Sequence, residues 1–194
     1  MMDGKMPYIF ESYEKLKSDL LGNIKKMSQP KKELVALAYI NRQSDIFEYS
    51  NNRSKIFGKN IFDLYVSKAK REIINKKNYS SCTSELDMLI PETDDSGGWM
   101  SDFMQNALIS LYCFFNFIKE EKDCLFVDIT NKILDNIDVL WYRNSLHEDK
   151  EESEKIQFGR EISILRDAII KVENFNKGMD AINFVDSLEK IPLY

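Results

Sequence analysis

Apolar side chains recur every three or four residues along almost the whole chain, and no sustained alternation of apolar and polar positions interrupts them. That rhythm predicts helices throughout. The first is expected from residue 8 into the twenties, with Ile9, Tyr13, Leu16, Leu20, Ile24 and Met27 on one stripe. "SQPKKELVALAYINR" predicts a second, with Ser28 as its cap, Pro30 in the first turn where a missing N–H costs nothing, and Leu34, Leu37 and Ala38 facing inward. A third carries Ile61, Phe62, Tyr65, Ala69 and Ile73 and is entered after the turn-prone "NNRSKIFGKN". Ser84 is expected to cap a short helix that Pro91 ends.

Residues 99–121 form the most apolar stretch, with Phe103, Met104, Ala107, Leu108, Leu111, Phe114, Phe115 and Ile118 spread over nearly all sides, as a central helix requires. The next helix, residues 123–143, places Phe126, Ile129, Ile133, Ile137 and Leu140 inside and Asp128, Asp135 and Asp138 outside. A charged hinge, "HEDKEESEK", leads to "FGREISILRDAIIKVENF" with a stripe of Ile162, Leu165, Ile169 and Val172, and a last helix begins near Gly178. The expected architecture is an all-α, single-domain bundle of about seven helices over residues 1–194, with an acidic interhelical loop near 91–98.

The most apolar run, "ALISLYCFFNFI", is too short to span a bilayer, and the first fifteen residues lack the continuous apolar middle of a secretory signal. A cytoplasmic protein without membrane contact is expected. Cys82, Cys113 and Cys124 are odd in number and form no C-x-x-C pair, so they read as reduced thiols, with Cys113 and Cys124 in core-like helical runs. A single histidine, His147, removes most catalytic and metal-site designs.

Charge changes the picture more than any motif. Residues 1–80 hold 16 Lys and Arg against 9 Asp and Glu, and the remainder holds 11 against 23. Residues 78–118 contain no basic residue, while Glu85, Asp87, Glu92, Asp94, Asp95 and Asp102 all fall within them, around Gly97, Gly98 and Trp99. A field of one sign favours a cationic partner and speeds its approach. Trp99 adds an aromatic of the type enriched at interface anchors, with Trp141 and Tyr142 as further candidates.

Rival chemistries fit less well. "TDDSGG" lacks the alternating acids and distal glutamate of a calcium loop, and no strand precedes Gly97-Gly98 as a phosphate cradle needs. No cofactor or metal is expected. Lys25-Lys26, Lys31-Lys32, Lys68-Lys70-Arg71 and Lys76-Lys77 stand among acids and read as solvated helix ends, so no direct nucleic-acid partner is expected. The enzymatic rival is a magnesium-dependent helical nucleotide hydrolase using Asp135, Asp138, Glu148, Glu151 and Glu152, acids at helical spacing that also read as solvated faces.

"ELVALAYINR", "IFDLYVSKAKREI" and "LIPETDDSGGWMSDFMQNALISL" resemble the YjaG-like helical family, whose pattern Pro91, Asp94, Asp95 and Ala107 match. The likeness runs from about residue 34 to 173 and does not include the last twenty or so residues. It implies an all-helical fold and no established activity. A looser likeness is to immunity proteins of contact-dependent inhibition, which bind and neutralise a toxin domain, commonly a nuclease. That likeness implies an inhibitor that covers a basic toxin's active or substrate-binding surface; the acid-only window makes Glu85, Asp87, Glu92, Asp94, Asp95, Trp99 and Asp102 the expected contacts, and the lack of a catalytic constellation makes the expected protein non-enzymatic, monomeric or weakly homodimeric. A helical homodimer, basic part against acidic part, is the third expectation.

Overall fold

The helical rhythm is realised throughout the described residues of a computed structural model, which are 18–19, 21–75, 80–91, 98–144, 150–173 and 181–191; among them there is no strand. Eight helices follow in order: α1 (Gln29–Asn41), α2 (Ser44–Ser54), α3 (Ile61–Asn75), α4 (Ser80–Asp87), α5 (Trp99–Glu120), α6 (Asp123–Asn144), α7 (Lys150–Glu173) and α8 (Ala181–Asp186). Residues 21–25 are helical too, and the earlier part of the first predicted helix lies largely outside the described residues. The protein is a single all-α domain around one core cluster.

Two helices occupy the middle. α5 buries Phe103, Leu108, Leu111, Phe114, Phe115 and Phe117 and packs on α1, α2, α3, α4 and α6. Each fully buried aromatic of this kind contributes roughly 2 kcal/mol. α1 is buried without a break from Leu34 through Asn41, because α3, α5, α6, α7 and α8 surround it. The stripe expected for α1 is therefore too narrow: Val35, Ala36, Tyr39 and Ile40 are buried as well, and a helix enclosed on all sides needs no polar face.

Three local expectations are corrected. The segment "NNRSKIFGKN" begins inside α2, a helix the periodicity did not disclose. α2 ends at Lys55, which takes a left-handed conformation (φ 57°) and donates its N–H to the Asn51 carbonyl at 2.9 Å. Asn51 then builds the turn from below, its Oδ1 accepting from the Phe57 N–H at 2.9 Å and its Nδ2 donating to the Lys59 carbonyl at 3.4 Å. Ser84 lies within α4 instead of capping it. The charged hinge is mostly helix, since residues 150–155 lie in α7; the expected start of the last helix near Gly178 lies outside the described residues.

Polar side chains fix the ends of α1. At its C-terminus, Gln43 donates through Nε2 to Ser110 Oγ (3.1 Å) and accepts at Oε1 from Asn136 Nδ2 (2.6 Å), joining α5 and α6. Next to it the Arg42 guanidinium meets the Glu161 carboxylate through both terminal nitrogens, the Nη2–Oε1 bond being 2.9 Å, and donates from Nε to the Glu189 carbonyl at 2.6 Å. The Arg42 and Glu161 side chains are 1% and 4% exposed, so this is a buried ion pair bridging α1 and α7 beneath the last described residues.

Candidate functional site

The acidic region is built on the α4–α5 junction. Cys82 and Leu86, four residues apart, bury one side of α4 against α5, which turns Ser84, Glu85, Asp87 and Met88 to solvent. The chain leaves α4 through a tight turn in which the Leu89 and Ile90 N–H groups both donate to the Leu86 carbonyl, and Gln105 Nε2 holds the Pro91 carbonyl at 2.8 Å. It enters α5 through Gly98, whose φ of 136° lies where side-chain-bearing residues are strained. That requirement explains the second glycine of the pair. The Gly98 carbonyl accepts from the Ser101 N–H at 2.9 Å, and Asp102 sits in the first turn of α5, where a carboxylate suits the helix dipole.

Of the seven residues predicted to meet a partner, Glu85, Asp87, Trp99 and Asp102 are described, while Glu92, Asp94 and Asp95 lie outside the described residues. Glu85 is not an unanswered charge. Its carboxylate accepts from Lys68 Nζ at 2.8 Å and from the Tyr65 hydroxyl at 2.9 Å, both on α3. The Lys68 bond, and then that of Tyr65, hold the Glu85 carboxyl below its ordinary range. Burial, followed by the bond to Glu85, pushes the Tyr65 phenol up. The absence of basic residues from 78–118 is thus a property of the sequence window, and a neighbouring helix supplies the cation. Asp87, two residues on, faces another way around α4 and is exposed. Asp102 is half-buried, and Trp99 is half-buried with its ring against the core.

The same closure recurs across the molecule. Lys31 pairs with Glu173 (3.5 Å), Lys32 with Asp123 (2.5 Å) and Lys70 with Asp186 (2.6 Å). Lys31, Lys32, Lys68 and Lys70, from two of the four clusters expected to be solvated helix ends, instead reach acids of the acidic part of the chain, whereas Lys25 and Lys26 are exposed as expected and Lys76-Lys77 lie outside the described residues. Sequence reading missed Met88, which is 80% exposed and stands beside Asp87. Its signal was available: it follows Leu86 by two, just beyond the end of a helix whose buried side is set by Cys82 and Leu86. The side chains of Trp141 and Tyr142 lie outside the described residues.

Of the acids assigned to the hydrolase reading, Asp135 is held by Lys132 at 2.9 Å. Partial burial, then the neighbouring Asp135, pushes the exposed Asp138 carboxyl up. Glu148 and the side chains of Glu151 and Glu152 fall outside the described residues. Among the described residues no three His, Cys, Asp or Glu side chains are grouped so as to hold a metal ion. Nor is any described helix long and apolar enough to cross a membrane.

Cys124 is a correction: it is exposed at the start of α6, where the first turn projects beyond the apolar face that begins at Leu125 and Phe126. Cys82 and Cys113 are buried, and burial pushes the Cys113 thiol up to about 11. A disulfide-forming thiol reagent at pH 8 is therefore expected to titrate one thiol quickly and the other two only on unfolding. Three equally fast thiols would contradict this packing. No family model, curated protein or solved structure matches the chain.

Proposed function

We propose that this protein is an immunity-type inhibitor that binds a basic toxin domain, a nuclease of a contact-dependent inhibition system, and covers its active or substrate-binding surface. The observation that carries the reading is the run of residues 78–118 with six carboxylates and no lysine or arginine. A nuclease presents cations to hold phosphates, and an inhibitor that presents carboxylates competes for the same groups. The geometry of the α4–α5 junction supports the reading in two ways: Asp87 is exposed with Met88 beside it, and the ends of the intervening acidic segment are anchored at Pro91 and Gly98. Nanomolar binding needs about −12 kcal/mol, more than exposed ion pairs supply, so apolar anchors must contribute. Met88 and Trp99 are the described candidates. The hydrolase reading draws less support, since Lys132 already engages Asp135.

The test is to look for a basic toxin domain in the reading frame adjacent to this chain's gene and to reconstitute the two. A stoichiometric complex and protection of cells expressing that domain are the expected results. Failure to bind, together with turnover of a nucleotide by the purified protein with magnesium, would replace inhibition by hydrolysis.

A further inference from the structure

We propose that residues 181–191 form a strap that opens as one unit from the outer side of α1 while the rest of the bundle stays folded. α8 has six residues, too few to persist as a helix without a partner, and it packs chiefly on α1. Phe184, Val185, Leu188 and Ile191 are its buried apolar side chains. Its polar links converge on the end of α1. The Ile191 N–H donates to the Arg42 carbonyl (3.0 Å), Lys190 Nζ to the Asn41 carbonyl and Ser44 Oγ (2.7 Å each), and Asn41 Nδ2 to Asp186 Oδ1 (2.9 Å). Lys70 and Arg160 pair with Asp186 and Glu189 at the edges.

Three features separate this segment from the core it covers. Its links are to polar groups that water satisfies once the strap lifts, so opening costs the net worth of each bond and not its full strength. Its leading end is less covered than the rest: Ala181 is half-buried and Ile182 is exposed, while Val185 behind them is buried with Leu34 and Leu37. Beneath it lies the Arg42–Glu161 pair, which closure strips of water and opening rehydrates. The α1 and α5 core gains from none of these, because each is enclosed by five other helices. Opening therefore costs less than unfolding the bundle, and the open form uncovers Leu34 and Leu37 together with the ion pair.

Hydrogen exchange of the intact protein, read amide by amide, decides the matter. The Ile191 amide, whose acceptor is on α1, is expected to exchange at least about tenfold faster than the amides of Phe114, Phe115 and Phe117 in α5. Lys190→Met removes its hydrogen bonds to Asn41 of α1 and Ser44 of α2 and should accelerate Ile191 by roughly another tenfold, leaving α5 unchanged. Arg160→Gln, which removes only an exposed pair, should give the same selective acceleration at smaller size. Exchange of Ile191 in step with α5, or equal acceleration of both by these substitutions, would show that the strap leaves only when everything unfolds.

Discussion

Glu161→Leu is expected to lower the unfolding free energy by about 3 kcal/mol, a large part of the roughly 5–15 kcal/mol that holds a domain of this kind. Arg42 is 1% exposed, and its charge is answered by the two Glu161 oxygens and the Glu189 carbonyl. Burial alone would favour the neutral form, but the Glu161 bond and charge outweigh it and hold the guanidinium pKa above its ordinary value. Removing Glu161 removes that support, but a guanidinium's intrinsic basicity is so high that Arg42 stays charged, with its main counter-ion gone. The loss should stay near the lower end for such breakages, because lifting residues 181–191 lets water reach the stranded guanidinium. Arg42→Met combined with Glu161→Leu removes both charges and should recover most of the loss, since a buried ion pair is little better than apolar groups of similar volume. Urea unfolding followed by circular dichroism reads all three proteins. A single substitution costing under about 1 kcal/mol would mean that the pair is hydrated in the folded state.

This pair also marks where the sequence is harder to read. α5 is legible because its apolar residues are dense and regularly spaced, so the core could be assigned from rhythm alone. α2 is not: Ile46 and Phe47 are its only buried large apolar side chains, and Ser44, Ser50 and Asn51 are buried beside them. A helix seated partly by polar groups leaves no apolar stripe to count. Arg42 and Glu161 are 119 residues apart and look like ordinary surface charges, yet a local signal exists. Glu161 precedes Leu165 by four and Ala168 by seven, on the buried side of α7, and Arg42 follows Val35 and Ala38 by seven and four on α1. A charge on an apolar stripe needs a buried partner. Partner identity is what linear reading cannot supply, and for the same reason the cation that answers Glu85 was invisible: Lys68 is distant in sequence and adjacent in space.

That closure of Lys68 on Glu85 sharpens what charge reversal in the acidic window should do. If the region steers a cationic toxin domain, reversing charges of the acidic window must weaken that steering. Asp94→Lys with Asp95→Lys, or Asp87→Lys, should slow association by roughly 10–100-fold at low ionic strength, the range open to electrostatic steering, and flatten its dependence on salt. Glu85→Gln combined with Lys68→Met removes that closed pair without changing the net charge and should do far less to association. Met88→Ala provides the complementary result: an uncharged anchor acts after encounter, so dissociation should quicken while association and its salt dependence hold. Stopped-flow mixing with the toxin domain at several salt concentrations separates these cases. Equal slowing by the charge-neutral Glu85→Gln/Lys68→Met pair and by Asp94→Lys would mean that the partner claims Glu85 itself, and no slowing by any of them would move the binding surface away from α4 and the segment that follows it.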